Sequence, residues 1–195
     1  MNNKVTAIIL AAGQSRRMGQ PKMLLPWGGT TVLGKVIETL KAAGMEDLVV
    51  VTGGAREQVE AIVRGSAQIV FNAEYSNSEM LGSIQCGLGA IKPQARSALI
   101  CLGDQPQVQV GSVHVILQEY ENTGASLIVP SYQMKRGHPW LVARELWNEI
   151  LEMQLPESLR EFLNRHAKEI KYVNVNTPSI LTDLDTPEDY LKSRP

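Results

Sequence analysis

The chain has few cysteines and no surplus of either charge: two thiols, Cys86 and Cys101, and 19 Lys+Arg against 20 Asp+Glu in 195 residues. Two thiols far apart form neither a C-x-x-C metal or redox motif nor the disulfide scaffold of a small secreted domain. A net charge of -1 gives no chain-wide cationic field for nucleic acid or an anionic membrane surface. The three tryptophans are scattered, without the interleaved basic residues of a nucleic-acid platform. No apolar run approaches the roughly 18 residues of a membrane span, and no repeat, low-complexity tract or linker is visible. Met1-Asn-Asn-Lys4 before apolar Val5 to Ala12 has the outline of a short secretory signal, but it carries a single Lys and runs into residues that read as chemistry. The expectation is a protein of the reducing cytoplasm, without nucleic-acid or membrane partners. It should form one domain over residues 1–195 whose core closes without disulfides or structural metal.

What the chain does contain is an alternation of short β-branched runs and helical patterns, the mark of a parallel α/β sheet. Val5 to Leu10, Leu48 to Thr52, Gln68 to Phe71 and Ala98 to Leu102 are nearly continuous apolar strands, expected in the sheet interior with both faces covered. Helical faces fall at Val32–Leu40, Val59–Val63, Leu81–Ile91 and Val113–Tyr120. A strand at Leu127 to Val129 is expected to stop at Pro130, and Ile170 to Val175 alternates like a strand near a sheet edge. Thr186-Pro187-Glu188-Asp189 is a helix start with its cap, first-position proline and acidic first turn.

Chemistry concentrates in three places. Leu10-Ala-Ala-Gly-Gln-Ser-Arg-Arg-Met-Gly-Gln-Pro-Lys22 leaves the first strand and puts Gly13, Gly19, Arg16, Arg17 and Lys22 into one loop. Glycines let backbone N–H groups approach phosphate oxygens, and Arg and Lys supply countercharge. The spacing fits neither G-x-x-x-x-G-K-[ST] nor G-x-G-x-x-G, and a solvated surface loop is the plain alternative. Gly103-Asp-Gln-Pro106 places Asp104 directly after an apolar strand, on the rim where open parallel sheets bind ligands. A carboxylate beside phosphate is repelled by about 4 kcal/mol per charge pair at about 4 Å and an effective dielectric of about 20. A divalent cation reverses that sign, so Asp104 near the basic loop suits Mg²⁺; a turn-forming aspartate is the alternative. Asp183-Leu-Asp185 offers a second carboxylate. Ser83, near a helix start, and His138 in a loose polar loop are weaker candidates, each with a structural explanation equally at hand.

Together, Leu10-Ala-Ala-Gly13, Ser15, Arg17-Met-Gly19, Pro21-Lys22, Gly82-Ser83, Gly103-Asp-Gln-Pro106, Gly137-His-Pro139 and Asp183 to Asp189 resemble the MobA-like nucleotidyltransferases, most closely their molybdenum cofactor cytidylyltransferase branch. The resemblance runs over the whole chain in order. It implies a three-layer, doubly wound, mostly parallel α/β sheet of the Rossmann-like nucleotide-diphospho-sugar transferase fold. It implies transfer of CMP from CTP to the terminal phosphate of the molybdopterin-type molybdenum cofactor, with pyrophosphate released. The implied roles are Leu10, Ala11, Ala12 and Gly13 at the base, Arg17 and Lys22 on the triphosphate, and Gly82 and Ser83 near base and ribose. Asp104 and Asp185 would hold Mg²⁺, Lys22, Arg17 and Asp104 would be catalytic, and Gly137 and His138 would face the pterin acceptor. The guanylyltransferase branch usually has Leu-Ala-Gly-Gly and a Cys-Asp-Met-Pro-like element, so Leu-Ala-Ala-Gly and Gly-Asp-Gln-Pro favour cytosine. Many relatives carry Arg where this chain has Gln85. Other readings are a guanylyl- or sugar-phosphate-type nucleotidyltransferase, or a non-catalytic carrier delivering the cofactor to a xanthine dehydrogenase-type hydroxylase.

Overall fold

The computed structural model describes residues 5–195; Met1 to Lys4, weighed above as the start of a signal, lie outside the described residues. In chain order the elements are β1 (Val5–Ala11), β2 (Pro26–Trp27), β3 (Thr30–Thr31), α1 (Val32–Ala42), β4 (Leu48–Thr52), α2 (Arg56–Val63), β5 (Gln68–Phe71), α3 (Glu79–Ala90) and β6 (Ser97–Leu102). There follow α4 (Val110–Thr123), β7 (Leu127–Tyr132), β8 (Lys135–Arg136), β9 (Trp140–Ala143), α5 (Trp147–Glu152), α6 (Leu159–Arg165), β10 (Ile170–Asn174) and α7 (Pro187–Ser193). One sheet runs β10-β7-β9-β6-β1-β4-β5 with β8 paired to β7, and β2 and β3 form a separate ribbon. Within the main sheet pairing is parallel except along β9 and the β7–β8 hairpin, and the β2–β3 ribbon is antiparallel. Among the described residues no helix is long and apolar enough to cross a membrane.

β1 is buried at every position, and apolar at all but Thr6, because helices cover both its faces. Ala7, Ile9 and Ala11 pack in one cluster with Leu33 and Ile37 of α1 and Val59 of α2. Ile8, Leu10 and Ala12 pack in another with Leu81, Ile84 and Leu88 of α3. The same alternation splits β6, with Leu99 and Cys101 on the first side and Ala98 and Ile100 on the second. This is the expected three-layer, doubly wound arrangement.

Two sequence expectations are corrected. β5 is not interior: it closes one end of the sheet, pairs only with β4, and leaves Gln68 and Phe71 exposed. Its run is as apolar as an inner strand because α2 and α3 still half-cover Ile69 and Val70. Pro130 does not stop β7, which continues to Tyr132. Pairing with β9 ends at Ile128↔Leu141, so the missing proline N–H deprives β9 of nothing, while the Pro130 carbonyl still accepts the Gly137 N–H at 3.0 Å.

The winding sets the position of the site. From β1 the chain passes through α1 to β4 and through α2 to β5 on one side; α3 then returns it to β6 on the other. The carboxyl ends of β1 and β6, in register as Leu10↔Leu102, therefore flank the point where the winding reverses, which is where open α/β sheets bind ligands. A third, smaller core holds a distant segment over this point: Leu184, fully buried, packs with Met18, Leu25, Trp27 and Val32. The Tyr190 hydroxyl donates to the Pro26 carbonyl at 2.7 Å beside it. Truncating Leu184 to Ala is expected to cost about 2–4 kcal/mol in urea unfolding, whereas truncating Leu191, 58% exposed one helix turn beyond Pro187, should cost under about 0.5 kcal/mol. Similar losses for the two would deny the small core its anchoring role.

Candidate active site

Beyond the ends of β1 and β6 lies an open cavity of about 920 Å³ lined by residues of four chain segments, with one charged and one mostly apolar end. The loop after β1 is shaped by Ser15 and Gly19. Ser15 sits at φ +52 and Gly19 at φ +72, a conformation glycine adopts without cost. The Ser15 carbonyl accepts from Met18 and Gly19 N–H at 3.0 and 3.1 Å, and its hydroxyl accepts the Lys22 N–H at 3.0 Å. Gly13 serves differently: a Cβ there would meet nothing within 4 Å, so its backbone faces open space that a ligand can approach.

The charged end gathers three segments. The Leu184 N–H donates to the Asp104 carbonyl at 3.3 Å, which brings Asp183 and Asp185 to either side of the β6 end. The Lys22 ammonium pairs with Asp104 Oδ2 and, at 3.3 Å, with Asp185 Oδ1; Arg17 pairs with Asp185 Oδ2 at 2.9 Å. The Lys22 and Asp104 side chains are only 13% and 15% exposed, against 70% for Arg17, so the inner pair is the one shielded from water. Burial works against the Lys22 charge, but the attraction and hydrogen bonds of Asp104 and then Asp185 prevail and raise its pKa above the ordinary lysine value. Asp183 goes the other way. Desolvation and the neighbouring Asp104 charge raise its pKa, although Gln105 Nε2 donates to its Oδ1 at 2.7 Å.

The opposite end is lined by Leu10, Ala12, Met80, Ser83 and Tyr75. Sequence reasoning missed Tyr75 and the glycines beneath it. A Cβ on Gly53 would come within 2.4 Å of the Ala12 carbonyl and 2.8 Å of Tyr75 Cβ, and one on Gly54 within 3.3 Å of Tyr75 Cε2. Only glycines let this ring lie so close to the backbone after β4. Asn72 fixes the turn that carries it, donating to Ser78 and Ser83 hydroxyls at 3.1 Å each and accepting the Glu74 N–H at 3.0 Å. Tyr75 also lines a second cavity of about 540 Å³ across Gly13, with Gln14, Ser15 and Gly54. A glycine pair after a strand, facing an aromatic some twenty residues later, was the only signal in the sequence.

Of the residues singled out from sequence, Leu10, Ala12, Gly13, Arg17, Lys22, Ser83, Asp104 and Asp185 meet at this cavity. Ala11 points its side chain into the opposite core layer. Gly82 is set back in α3, where a Cβ would strike Ser78 at 2.2 Å. Gly137 and His138 do not line this cavity. A Cβ on Gly137 would lie 2.4 Å from the Ile180 carbonyl, which accepts the His138 N–H at 3.1 Å. The His138 ring stacks on Trp140 at 4.3 Å, its Nε2 is buried without a partner, and burial lowers its pKa to about 4, so it is neutral at pH 7. Gln85 does not face the site: its Nε2 donates to the Ile150 and Met153 carbonyls at 2.9 Å, capping the end of α5.

Among the described residues no three His, Cys, Asp or Glu side chains gather as a metal-binding set. Asp104 and Asp185 nevertheless converge on one cationic atom, the Lys22 Nζ. Two carboxylates beside a basic loop suit a hard cation that keeps waters and takes substrate oxygens, not one caged wholly by protein.

A family model described as MobA-like NTP transferase domain matches residues 7–170. The chain is 27% identical to the molybdenum cofactor cytidylyltransferase of Escherichia coli K12 over 194 residues, 97% of this chain and 95% of that one. It is equally 27% identical, over 94% of this chain and 93% of the relative, to nicotine blue oxidoreductase of Paenarthrobacter nicotinovorans. Among solved structures, Rv0371c of Mycobacterium tuberculosis H37Rv superposes with a TM-score of 0.83 at 28% identity, over 97% of this chain and 96% of that one, and has also been solved in complex with manganese.

Because the folded state raises the Asp183 pKa, ionising that carboxyl costs the fold: stability is retained below the unfolded value of about 3.9 and falls as pH rises through the folded one. Asp183→Asn keeps an acceptor for Gln105 and is expected to be more stable than wild type at pH 7, with the difference vanishing below about pH 3 in urea midpoints. A less stable variant at pH 7 would reverse this assignment.

Proposed function

The chain belongs to the MobA-like NTP transferase family and is a nucleotidyltransferase, and from that premise we propose that it transfers CMP from CTP to the terminal phosphate of a molybdopterin-type acceptor, releasing pyrophosphate. The observation that carries the reading is the pair Asp104 and Asp185, drawn onto one cation beside the Arg17–Lys22 loop. These carboxylates would hold Mg²⁺, which supplies positive charge to the phosphates of the bound nucleotide. Arg17 and Lys22 would grip the triphosphate oxygens, fixing them for in-line attack and neutralising charge on the departing pyrophosphate. The Leu10 to Gly13 backbone and Ser83 would contact the base and ribose, with the Tyr75 ring as an aromatic wall at the same end. Leu-Ala-Ala-Gly at the base end favours cytosine.

The acceptor phosphate oxygen forms a bond to the α-phosphorus while the bond from that phosphorus to the bridging oxygen breaks, and the electron pair leaves with pyrophosphate. A phosphate monoester has its second pKa near about 6, so the nucleophile is already ionised at neutral pH and needs no general base. Neutral His138 accordingly has no proton to abstract; its loop would serve the acceptor by shape and hydrogen bonding.

Purified protein with Mg²⁺, molybdopterin or its molybdenum form, and each of CTP, GTP, ATP and UTP in turn is expected to release pyrophosphate with CTP alone. Release with GTP would move the reading to the guanylyl branch. Pterin binding without release from any nucleotide would make the chain a cofactor carrier for a molybdenum hydroxylase. Asp104→Asn should lower the rate at least about a hundredfold, or about 2.7 kcal/mol. Tyr75→Ala should raise KM for CTP about tenfold with kcat little changed, the size of a lost base–aromatic stack. Near-wild-type kinetics in either variant would remove that residue from the site.

A further inference from the structure

We propose that Lys22 is a stand-in for the divalent cation: its ammonium holds Asp104 and Asp185 together until the metal displaces it, and only then is it free to meet phosphate. This deepens the functional reading above and rests on it. The Nζ atom contacts both carboxylates at once, on Oδ2 of Asp104 and, at 3.3 Å, on Oδ1 of Asp185. An ammonium and a dication between the same two oxygens repel, so the pair accepts one or the other. Arg17 does not fill this role, since it touches only Asp185, from the solvent side. The displacement is local. The Lys22 backbone stays pinned by its N–H to the Ser15 hydroxyl at 3.0 Å, and the four-carbon stem alone re-aims the charge. Arg17 and Lys22 already line the cavity on the side of Gly13, so an ammonium leaving the carboxylates enters the space assigned to the triphosphate. Metal binding then creates the phosphate site, and nucleotide without metal finds its main cation engaged elsewhere.

The test is Mn²⁺ titration followed by electron paramagnetic resonance of the free ion, without nucleotide. Lys22→Met keeps most of the stem and loses the competitor, so it is expected to bind Mn²⁺ at least tenfold more tightly than wild type. Arg17→Gln removes the same unit of charge and should stay within about threefold of wild type. A lysine that merely supported the structure would give the opposite result, because its loss would loosen the carboxylates and weaken metal binding. Equal or weaker Mn²⁺ affinity in Lys22→Met with an unchanged circular dichroism spectrum overturns the proposal. Should that variant fail to fold, the lysine ammonium resonances of wild type decide. The Lys22 signal must shift on adding Mg²⁺ alone, and an unmoved signal at saturating Mg²⁺ overturns the proposal. Equal affinity in wild type and Lys22→Met, with CTP-dependent pyrophosphate release by the wild type, defeats this inference and spares the functional reading. No Mn²⁺ uptake by either protein defeats the metal assignment as well.

Discussion

Segments 82 and 163 residues apart in sequence are brought to one ammonium group, the Lys22 Nζ between Asp104 and Asp185. Each carboxylate comes from an independent source of order. Asp104 sits where β6 ends beside β1, so sheet register sets its height. Asp185 is placed by the Leu184 side chain in the small core and by the Leu184 N–H on the Asp104 carbonyl. Lys22 begins a single 3₁₀ turn whose Met23 is buried against the first core layer. None of these supports alone would hold charges of like sign together; the ammonium makes their meeting tolerable.

The charge balance at that point is what gives the site its chemistry. Arg17 and Lys22 face Asp104, Asp183 and Asp185, one carboxylate more than cations, and burial together with the neighbouring Asp104 charge raises the Asp183 pKa. A loop with only basic residues would bind any anion; the added carboxylates make it discriminate in favour of anions that arrive with a cation. At the far end Leu10, Ala12, Met80 and Tyr75 present apolar surface, with Ser83 and the Glu79 carboxylate as the polar groups beside them. One cavity therefore orients a molecule with a flat apolar head and a polyanionic tail, which is the outline of a nucleoside triphosphate.

How much of this was legible from sequence follows from how local each feature is. The Leu10 to Lys22 loop, the strand-ending Asp104 and the capped helix start at Thr186 are written in consecutive residues, and all proved to be where their local chemistry put them, with Thr186 and Asp189 forming a reciprocal cap. Tyr75 was not legible, because its place depends on two glycines across a strand crossover and on a buried asparagine whose side chain binds three partners. The edge position of β5 was invisible for the same reason: apolar content records burial by helices, not the number of strand neighbours. Pro130 misled because the penalty for a missing N–H depends on whether a strand waits on that side, and the pairing with β9 has already ended.

His138 illustrates the limit from the other direction. Its motif is conspicuous in sequence, yet the ring lies against Trp140, outside the cavity that holds the charges, with its backbone N–H on the same Ile180 carbonyl that Gln105 approaches at 3.4 Å. Gln105 in turn binds Asp183 on the cavity rim. The polar loop and the charged end are thus linked through Ile180 and Gln105, not through direct contact of the histidine. An acceptor seated against Gly137 and His138 would press on Ile180, whose chain continues within five residues to Asp185. The arrangement makes the Gly137–His138 loop and the placement of the carboxylates parts of one packed unit, so substitutions of His138 that preserve the stack on Trp140 and those that lose it should differ in their effect on the Asp104–Asp185 pair, although the ring itself never touches it.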